Sequence, residues 1–250
     1  MQFDASEYLE YLNNQNFGSN ILYLEQTEST NDEMWDKIKE QDHLLIISDI
    51  QKKGRGRREN SWYSVKTKSL TFSIGLLENQ KNGNLIALRT SLATCEAINK
   101  TSNINTKIKW PNDIVINKKK IAGILIETKI KNSKIIYNIG IGINVNLDYD
   151  ELDKNLENKM SSIFVESGEM QNREYLLSEL VKSLDSIIKK GDQFVINQWM
   201  KSCSHINAEV FFHSESNKIS GIFVGINSNG LAIINSKNKL NYYSSGIVEL

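Results

Sequence analysis

The feature that most constrains the fold is a series of short segments rich in isoleucine and valine in the middle of the chain. Four of them follow one another, at residues 106–110, 113–117, 120–130 and 134–146. Tight polar turns such as Asn117-Lys118-Lys119 join them, which favours antiparallel hairpins over parallel pairs with long crossovers. The sequence therefore predicts an antiparallel portion of a β-sheet here.

The residues before this region supply further strands and helices. Apolar runs at 21–25, 43–50 and 69–77 predict strands, and residues 84–100 place apolar side chains at helical spacing. A mixed sheet with helices on one face fits this order better than a doubly wound parallel sheet. We therefore expect an α+β fold.

The C-terminal part of the chain has a different pattern. Residues 173–190 and 193–202 predict two amphipathic helices, and four or five short strands follow, with a turn signal at Asn229-Gly230. Short strands of this kind are typical of a small β-barrel. We expect one domain over residues 1–204 and a second over residues 205–250.

Composition excludes several classes of protein. The 30 basic and 30 acidic residues give a formal charge of zero, so no overall attraction to nucleic acid or to an anionic membrane is expected. Cys95 and Cys203 lack the spacing of a metal site and are expected to be reduced core thiols. Residues 1–20 carry neither a signal-peptide pattern nor enough chain for a winged-helix DNA-binding domain. We expect a cytoplasmic protein.

A basic loop between two predicted strands is the first candidate site. Residues 51–62 combine five Lys and Arg residues with Gly54, Gly56 and Trp62. Glycines let the backbone approach a ligand, and arginine binds phosphate or carboxylate with a planar pair of donors. Taken alone, the loop fits a solvated charge run best, and a nuclear-localisation or nucleic-acid patch next.

The segment 109–113 contains the only proline of the chain. Pro111 restricts the backbone and presents Lys109, Asn112 and Asp113 in a fixed geometry at a strand end. Such a sequence is also a common turn, so it is compatible with a purely structural role. A Lys, Asn and Asp together could instead serve a metal-bound polyphosphate.

Two glycine-containing strands follow. Lys120 precedes Gly123, whose small size would let a ligand lie against the strand, although a lysine in a hairpin turn is usually solvated. Residues 140–144 read Gly-Ile-Gly-Ile-Asn, and they lack both the third glycine and the helix of a dinucleotide-binding fingerprint. The sequence has no Walker A loop and no G-x-S-x-G elbow, and its three histidines lack partners.

Taken together and in this order, five motifs closely resemble those of the biotin protein ligases. They are Ser29-Thr30-Asn31, Gln51 with the loop 54–62, and the segments 109–113, 120–127 and 140–144. The resemblance implies a catalytic domain related to class II aminoacyl-tRNA synthetases and a C-terminal SH3-like barrel. It also implies ATP-dependent transfer of biotin, through biotinyl-5′-AMP, to one lysine of a biotin carboxyl carrier protein domain. A homodimer is common in this family.

The resemblance also implies roles for single residues around biotin. Ser29, Thr30 and Gln51 would hydrogen-bond the ureido ring, together with the backbone at Arg55. Gly123 would line the apolar side of the biotin pocket.

For the nucleotide, the family pattern places Arg57 on the phosphate, with Arg58 helping to order the loop and Trp62 closing it over the adenine side. Lys120 would face both the biotin carboxylate and the α-phosphate. Asn144 would help to build the adenine pocket.

The family pattern places Asn112 and Asp113 near magnesium and the triphosphate of ATP, and Asp113 is the candidate base for acyl transfer. Glu59 and Asn60 depart from this pattern, since family members often have Gly and Arg there. The chain also stops at Leu250, where some relatives continue to a basic residue that reaches ATP.

Two alternatives remain at this point. A lipoate or octanoate ligase of related fold would also activate a carboxylate through an adenylate, although Gln51 and Ser29-Thr30 favour a polar ureido ring. A binding module that uses the basic loop for nucleic acid belongs to a different class of protein. The neutral charge and the lack of a recognition helix argue against it.

Overall fold

The computed structural model describes residues 1–38, 43–58, 60–78, 83–131, 134–152, 159–213 and 218–249. The strands of the first sheet are β1 (Ile21–Thr27), β2 (His43–Gln51), β3 (Ser69–Glu78), β4 (Lys107–Lys109), β5 (Asp113–Ile116), β6 (Lys119–Lys131) and β7 (Lys134–Asn144). Their order is β1-β2-β3-β7-β6-β5-β4, with β1 and β2 parallel and the other neighbours antiparallel. The predicted mixed sheet and its antiparallel region are confirmed.

The hairpin between β5 and β6 shows why this region folds as predicted. Ile116 pairs with Lys119, so the connection consists of Asn117 and Lys118 alone. Both have positive φ, 49° and 67°, as a two-residue hairpin turn requires to match the twist of its strands.

The helices are α1 (Ala5–Leu12), α2 (Thr30–Lys37), α3 (Gly83–Ser102), α4 (Ile163–Ser167), α5 (Arg173–Ile188) and α6 (Asp192–Ser202), with a short 3₁₀ turn at Tyr149–Glu151. The expectation that all helices cover one face of the sheet is wrong. Met34 and Ile38, in and just after α2, pack with Leu44 and Ile46, whereas α3 and α5 pack with Leu45 and Ile47. Successive strand residues point to opposite faces, so α2 lies across the sheet from α3 and α5.

The last five strands form a second, antiparallel sheet. They are β8 (Glu209–His213), β9 (Lys218–Ile226), β10 (Ala232–Ser236), β11 (Lys239–Tyr243) and β12 (Ile247–Glu249), in the order β11-β10-β9-β8-β12. The predicted turn at Asn229-Gly230 joins β9 to β10, and Gly230 has a φ of +74° there. Trp110, which is 3% exposed, packs on Phe212 and so connects the two sheets.

A buried histidine marks the start of the second sheet. His205 is 1% exposed, and its ring meets the edge of Phe223 at a centroid distance of 4.2 Å. Burial, with a smaller contribution from the positive charge of Lys109, lowers the pKa of His205 to about 4. The ring is therefore neutral at pH 7.

None of the described helices is both long and apolar enough to span a membrane.

Candidate functional site

Two adjoining cavities open on the α2 side of the first sheet, below the basic loop. The first, about 50 Å³, reaches the N-terminus of α2, and the second, about 220 Å³, reaches β12. Five residues line both cavities, namely Gly56, Arg57, Trp62, Asn112 and Lys120. The predicted site residues that line at least one of them are Ser29, Thr30, Gln51, Arg55, Arg57, Arg58, Trp62, Asn112, Asp113, Lys120 and Gly123.

The far end of the first cavity is polar. The backbone N and the hydroxyl of Thr30 donate to Gln51 Oε1 at 2.7 and 3.0 Å. Ser73 Oγ lies 2.8 Å from Thr30 Oγ1 and 2.6 Å from Asn31 Oδ1. Ser29 is the N-cap residue of α2 but makes no capping bond with its side chain. Because Gln51 Oε1 already accepts two hydrogen bonds, its amide Nε2 is the group left to donate to a ligand.

The basic loop folds into a small hairpin of its own. The N–H of Trp62 donates to the carbonyl of Gly54 at 2.8 Å, and that of Gly56 donates to the carbonyl of Asn60 at 2.7 Å. Arg58 turns the chain with a φ of 54°. The loop thus holds Arg55 at the first cavity, Arg58 at the second and Arg57 at both. Glu59, one of the two departures from the family pattern, lies outside the described residues.

Arg57 is held at the junction of the cavities by Asn112. Its guanidinium donates to Asn112 Oδ1 at 3.2 Å, and Asn112 Nδ2 donates to the carbonyl of Ile124 at 2.7 Å, which fixes the orientation of the amide. Burial first, then the charge of Arg58, lowers the pKa of Arg57, while Asp113 acts in the opposite direction. The guanidinium keeps its charge, because the ordinary pKa of arginine is so high.

A β-bulge determines where Lys120 points. Asp113 pairs with Gly123 and Ile114 with Ala122, but Val115 pairs with Lys120, so Ile121 is an extra residue on β6. Ile121 and Ala122 both lie in the core. Positions 120 and 123 would lie on opposite faces of a regular strand, and the extra residue brings them to the same face.

On that face Lys120 meets a carboxylate. Its Nζ lies 2.7 Å from Asp113 Oδ1, and both side chains are about a quarter to a third exposed, at 31% and 26%. Its backbone is fixed on the other side by hydrogen bonds with Lys159 and Ser161. A lysine held in this way can exchange one anionic partner for another without a change of backbone.

Trp62 fills much of the space above the sheet. A Cβ on Gly142 would lie 2.2 Å from Trp62 Cε2, and a Cβ on Gly123 would lie 2.9 Å from Lys120 Nζ. These glycines therefore make room for the indole and for the lysine. Trp62 Nε1 is buried and has no hydrogen-bond partner among the described residues, so it is a donor available to a ligand.

Asn144 lies apart from the two cavities. It is 1% exposed, and its Nδ2 donates to the carbonyl of Ser161 at 3.0 Å. Ser161 in turn donates its backbone N–H to Lys120. Asn144 thus supports the segment that fixes Lys120, and its predicted contact with adenine stays a prediction.

Two residues of the site were missed in the sequence. Ser73 lies within an apolar run that gave no signal beyond its strand. Glu127 ends the 120–127 motif but received no role, and the structure places it among Asn31, Trp35 and Arg55.

The C-terminal sheet contributes to the second cavity. Gly246, Ile247 and Val248, in and just before β12, line it opposite Arg57 and Asp113. The last strand therefore reaches the second cavity through Gly246, Ile247 and Val248, and none of these three residues is basic.

Comparisons with known proteins agree with this arrangement. Residues 23–146 match the sequence profile of the Biotin/lipoate A/B protein ligase family, a region that extends from β1 to just beyond β7. The Bifunctional ligase/repressor BirA of Bacillus spizizenii is 28% identical over 214 residues, which are 82% of this chain and 66% of that protein. Biotin--protein ligase 2 of Arabidopsis thaliana is 29% identical over 220 residues, 85% of this chain and 64% of that protein. The chain thus spans just under two thirds of the length of these curated relatives.

A solved structure extends the likeness to both sheets. The biotin protein ligase of Aquifex aeolicus, in complex with biotin and ATP, has a TM-score of 0.79 and 26% identity, covering 92% of this chain and 97% of its own. Residues 23–146 therefore match the Biotin/lipoate A/B protein ligase family, and these likenesses together support a catalytic domain of the biotin protein ligase type.

Proposed function

We propose that this chain is an ATP-dependent biotin–protein ligase, which forms biotinyl-5′-AMP and transfers the biotinyl group to a lysine of a biotin carboxyl carrier protein. The observation that carries the proposal is the convergence of Lys120 and Arg57 where the two cavities join. Biotin would lie in the first cavity, with its ureido ring towards Thr30 and Gln51, and the nucleotide would occupy the second.

The positive charges of Lys120 and Arg57 would offset the repulsion between the two anions that react to form the adenylate. A carboxylate attacking the α-phosphate brings two anions together, and at ~4 Å they repel by roughly 4 kcal/mol at an effective dielectric constant near 20. Lys120 would leave Asp113 for the biotin carboxylate and the α-phosphate, and Arg57 would hold the phosphate from the loop. No general base is needed, because the carboxylate is already ionised, so catalysis rests on positioning and electrostatics.

The described residues contain no group of three or more His, Cys, Asp or Glu side chains that could hold a metal by themselves. One carboxylate and one amide oxygen, from Asp113 and Asn112, fit a magnesium ion that is bound chiefly by phosphate oxygens. Such an ion would neutralise charge on the β- and γ-phosphates.

The loop would protect the product of the first step. A mixed anhydride hydrolyses readily, and a hairpin closed over the cavity by Trp62 excludes water and retains the adenylate. In the second step Asp113 is our candidate for the base that accepts a proton from the lysine of the acceptor.

We also infer the finer points of the architecture from the resemblance. The first sheet would be of the class II aminoacyl-tRNA synthetase type and the second SH3-like, with the boundary between the domains near residue 205. A homodimer, a cytoplasmic location and the absence of a nucleic-acid partner belong to the same proposal.

The test is to incubate the protein with ATP, magnesium and a biotin carboxyl carrier domain, with either biotin or lipoate, and to weigh the carrier. We expect the biotinyl mass to be added in the biotin reaction alone. Addition of a lipoyl mass instead would assign the protein to the lipoate branch of the family, and an unchanged carrier in both reactions would refute ligation.

A further inference from the structure

Glu127 receives more polar contacts from the site than any assigned role explains. Its carboxylate faces the Arg55 guanidinium with two close pairs, NH1 to Oε1 at 3.1 Å and NH2 to Oε2 at 3.2 Å. Asn31 Nδ2 and Trp35 Nε1 donate to the same Oε2 at 3.1 and 3.4 Å. One carboxylate on the sheet therefore binds the basic loop and α2 together.

The strand places this carboxylate on the ligand side of the sheet. Gly123 and Glu127 lie four residues apart on β6 and share a face, with Leu125 between them. Gly123 and Leu125 line the first cavity. Glu127 thus continues the wall of the biotin pocket, at the point where the loop and α2 meet it.

A chain of polar contacts runs from Glu127 to the polar end of the first cavity. Asn31, which is 4% exposed, donates to Glu127 and has its Oδ1 2.6 Å from Ser73 Oγ. Ser73 Oγ lies 2.8 Å from Thr30 Oγ1, and Thr30 donates to Gln51. The groups predicted to bind the ureido ring and the arginine that anchors the loop are therefore linked through one carboxylate.

We propose that Glu127 is a positioning residue that couples closure of the loop 54–62, through Arg55, to the polar end of the first cavity, through Asn31. The biotin part of this assignment rests on the proposed function. The contact of the loop with Glu127 through Arg55 does not depend on that function.

The second partner of Arg55 does not account for this coupling. Asp32 Oδ1 lies 2.8 Å from Arg55, but its side chain is 56% exposed, compared with 27% for Glu127. Glu127 also faces the guanidinium with two close nitrogen–oxygen pairs, whereas Asp32 makes one. Glu127 is therefore the partner that fixes the loop, and Asp32 adds a contact exposed to solvent.

Trypsin cleaves after arginine, so the rate of cleavage at the arginines of the loop reports how often the loop opens. Glu127→Gln keeps an oxygen that accepts from Asn31 and Trp35 but removes the charge that binds Arg55. We expect cleavage after Arg57 and Arg58, identified by peptide mass in the ligand-free protein, to be about five-fold faster, the upper range for a partly exposed ion pair. High salt should speed cleavage of the wild type and leave this variant nearly unchanged.

A remote ion pair supplies the matched control. Asp185 of α5, whose side chain is 24% exposed, pairs with Lys189 just beyond the end of that helix, and Asp185→Asn should leave loop cleavage at the wild-type rate. Arg55→Gln should accelerate cleavage, and adding Glu127→Gln to it should have little further effect, since coupled residues are not additive. Unchanged cleavage in Glu127→Gln, or acceleration that only follows a lower melting temperature, would overturn the proposal.

The link to the ligand is tested separately, with biotin and ATP. Glu127→Gln should release biotinyl-AMP about five-fold faster than the wild type. Equal retention of biotinyl-AMP would refute the coupling to the cavity. If the wild type forms no biotinyl-AMP, the proposed function fails, and the cleavage rates still decide whether Glu127 positions the loop.

Discussion

Replacing Gly142 with alanine should destabilise the closed loop and leave the folded sheet nearly as stable as before. The Cβ of Gly142→Ala would lie 2.2 Å from Trp62 Cε2 and 2.5 Å from Cζ2, so the indole must withdraw by more than 1 Å to reach ordinary contact. Overpacking of this kind costs about 1 to 3 kcal/mol. Trp62 belongs to the loop, so this cost falls on the closed loop rather than on the folded sheet. At 1.4 kcal/mol for each factor of ten, we expect the open loop to be about 5- to 100-fold more populated.

Limited trypsin digestion of the ligand-free protein measures this population. Gly142→Ala should be cut within the loop faster by that factor, with a melting temperature close to that of the wild type. Gly83→Ala is the matched control, because its Cβ would meet a single atom, Tyr137 Cε1, at an ordinary 3.7 Å. Wild-type cleavage of Gly142→Ala would show that Trp62 does not hold the loop, and a large loss of thermal stability would show that the cost falls on the core instead.

Three further results are expected. Lys120→Ala should lower adenylation by about 100-fold, comparable to loss of one strong electrostatic donor, and pyrophosphate release close to normal would remove Lys120 from the mechanism. Arg57→Gly should release biotinyl-AMP faster, because the loop would lose its proposed phosphate anchor. A filter-binding assay would detect the faster release, and retention equal to that of the wild type would contradict the proposed role. Because the pKa of His205 is lowered from 6.5 to about 4, the unfolded state binds the proton more readily. The free energy of unfolding should therefore fall as the pH falls from about 6.5 towards 4, by at most about 3 kcal/mol. Denaturant titrations across this range should show a weaker dependence in His205→Gln, and an equal dependence would rule out this histidine as the cause.

Much of the fold was predictable because local patterns and tertiary structure agree. The polar turn residues and the flanking apolar segments predicted the hairpin at Asn117-Lys118. The sequence did not predict which side of the sheet α2 covers. A strand buried on both faces, such as β2, reads as one continuous apolar run and does not show which residues meet which helix.

The sequence motifs predicted which residues lie around the two cavities better than they predicted the contacts among those residues. The motifs identified Lys120, Arg57 and Gln51, and the structure gathers them around two joined cavities. The sequence could not show that Asn144 is engaged with Ser161, because that partner lies 17 residues further along the chain. It also gave no role to Glu127, since a charged residue near a strand end usually faces solvent.

The extra residue in β6 makes the side of the sheet on which Lys120 lies depend on strand pairing as well as on residue type. If the bulge were lost without a change of length, so that Ile121 took the place opposite Val115, the pairing from Ala122 onwards would be kept but the Lys120 ammonium group would turn to the opposite side of the sheet. Side chains between residues 120 and 123 can therefore be exchanged as long as the bulge is kept, whereas a one-residue slip there would carry the positive charge away from Asp113.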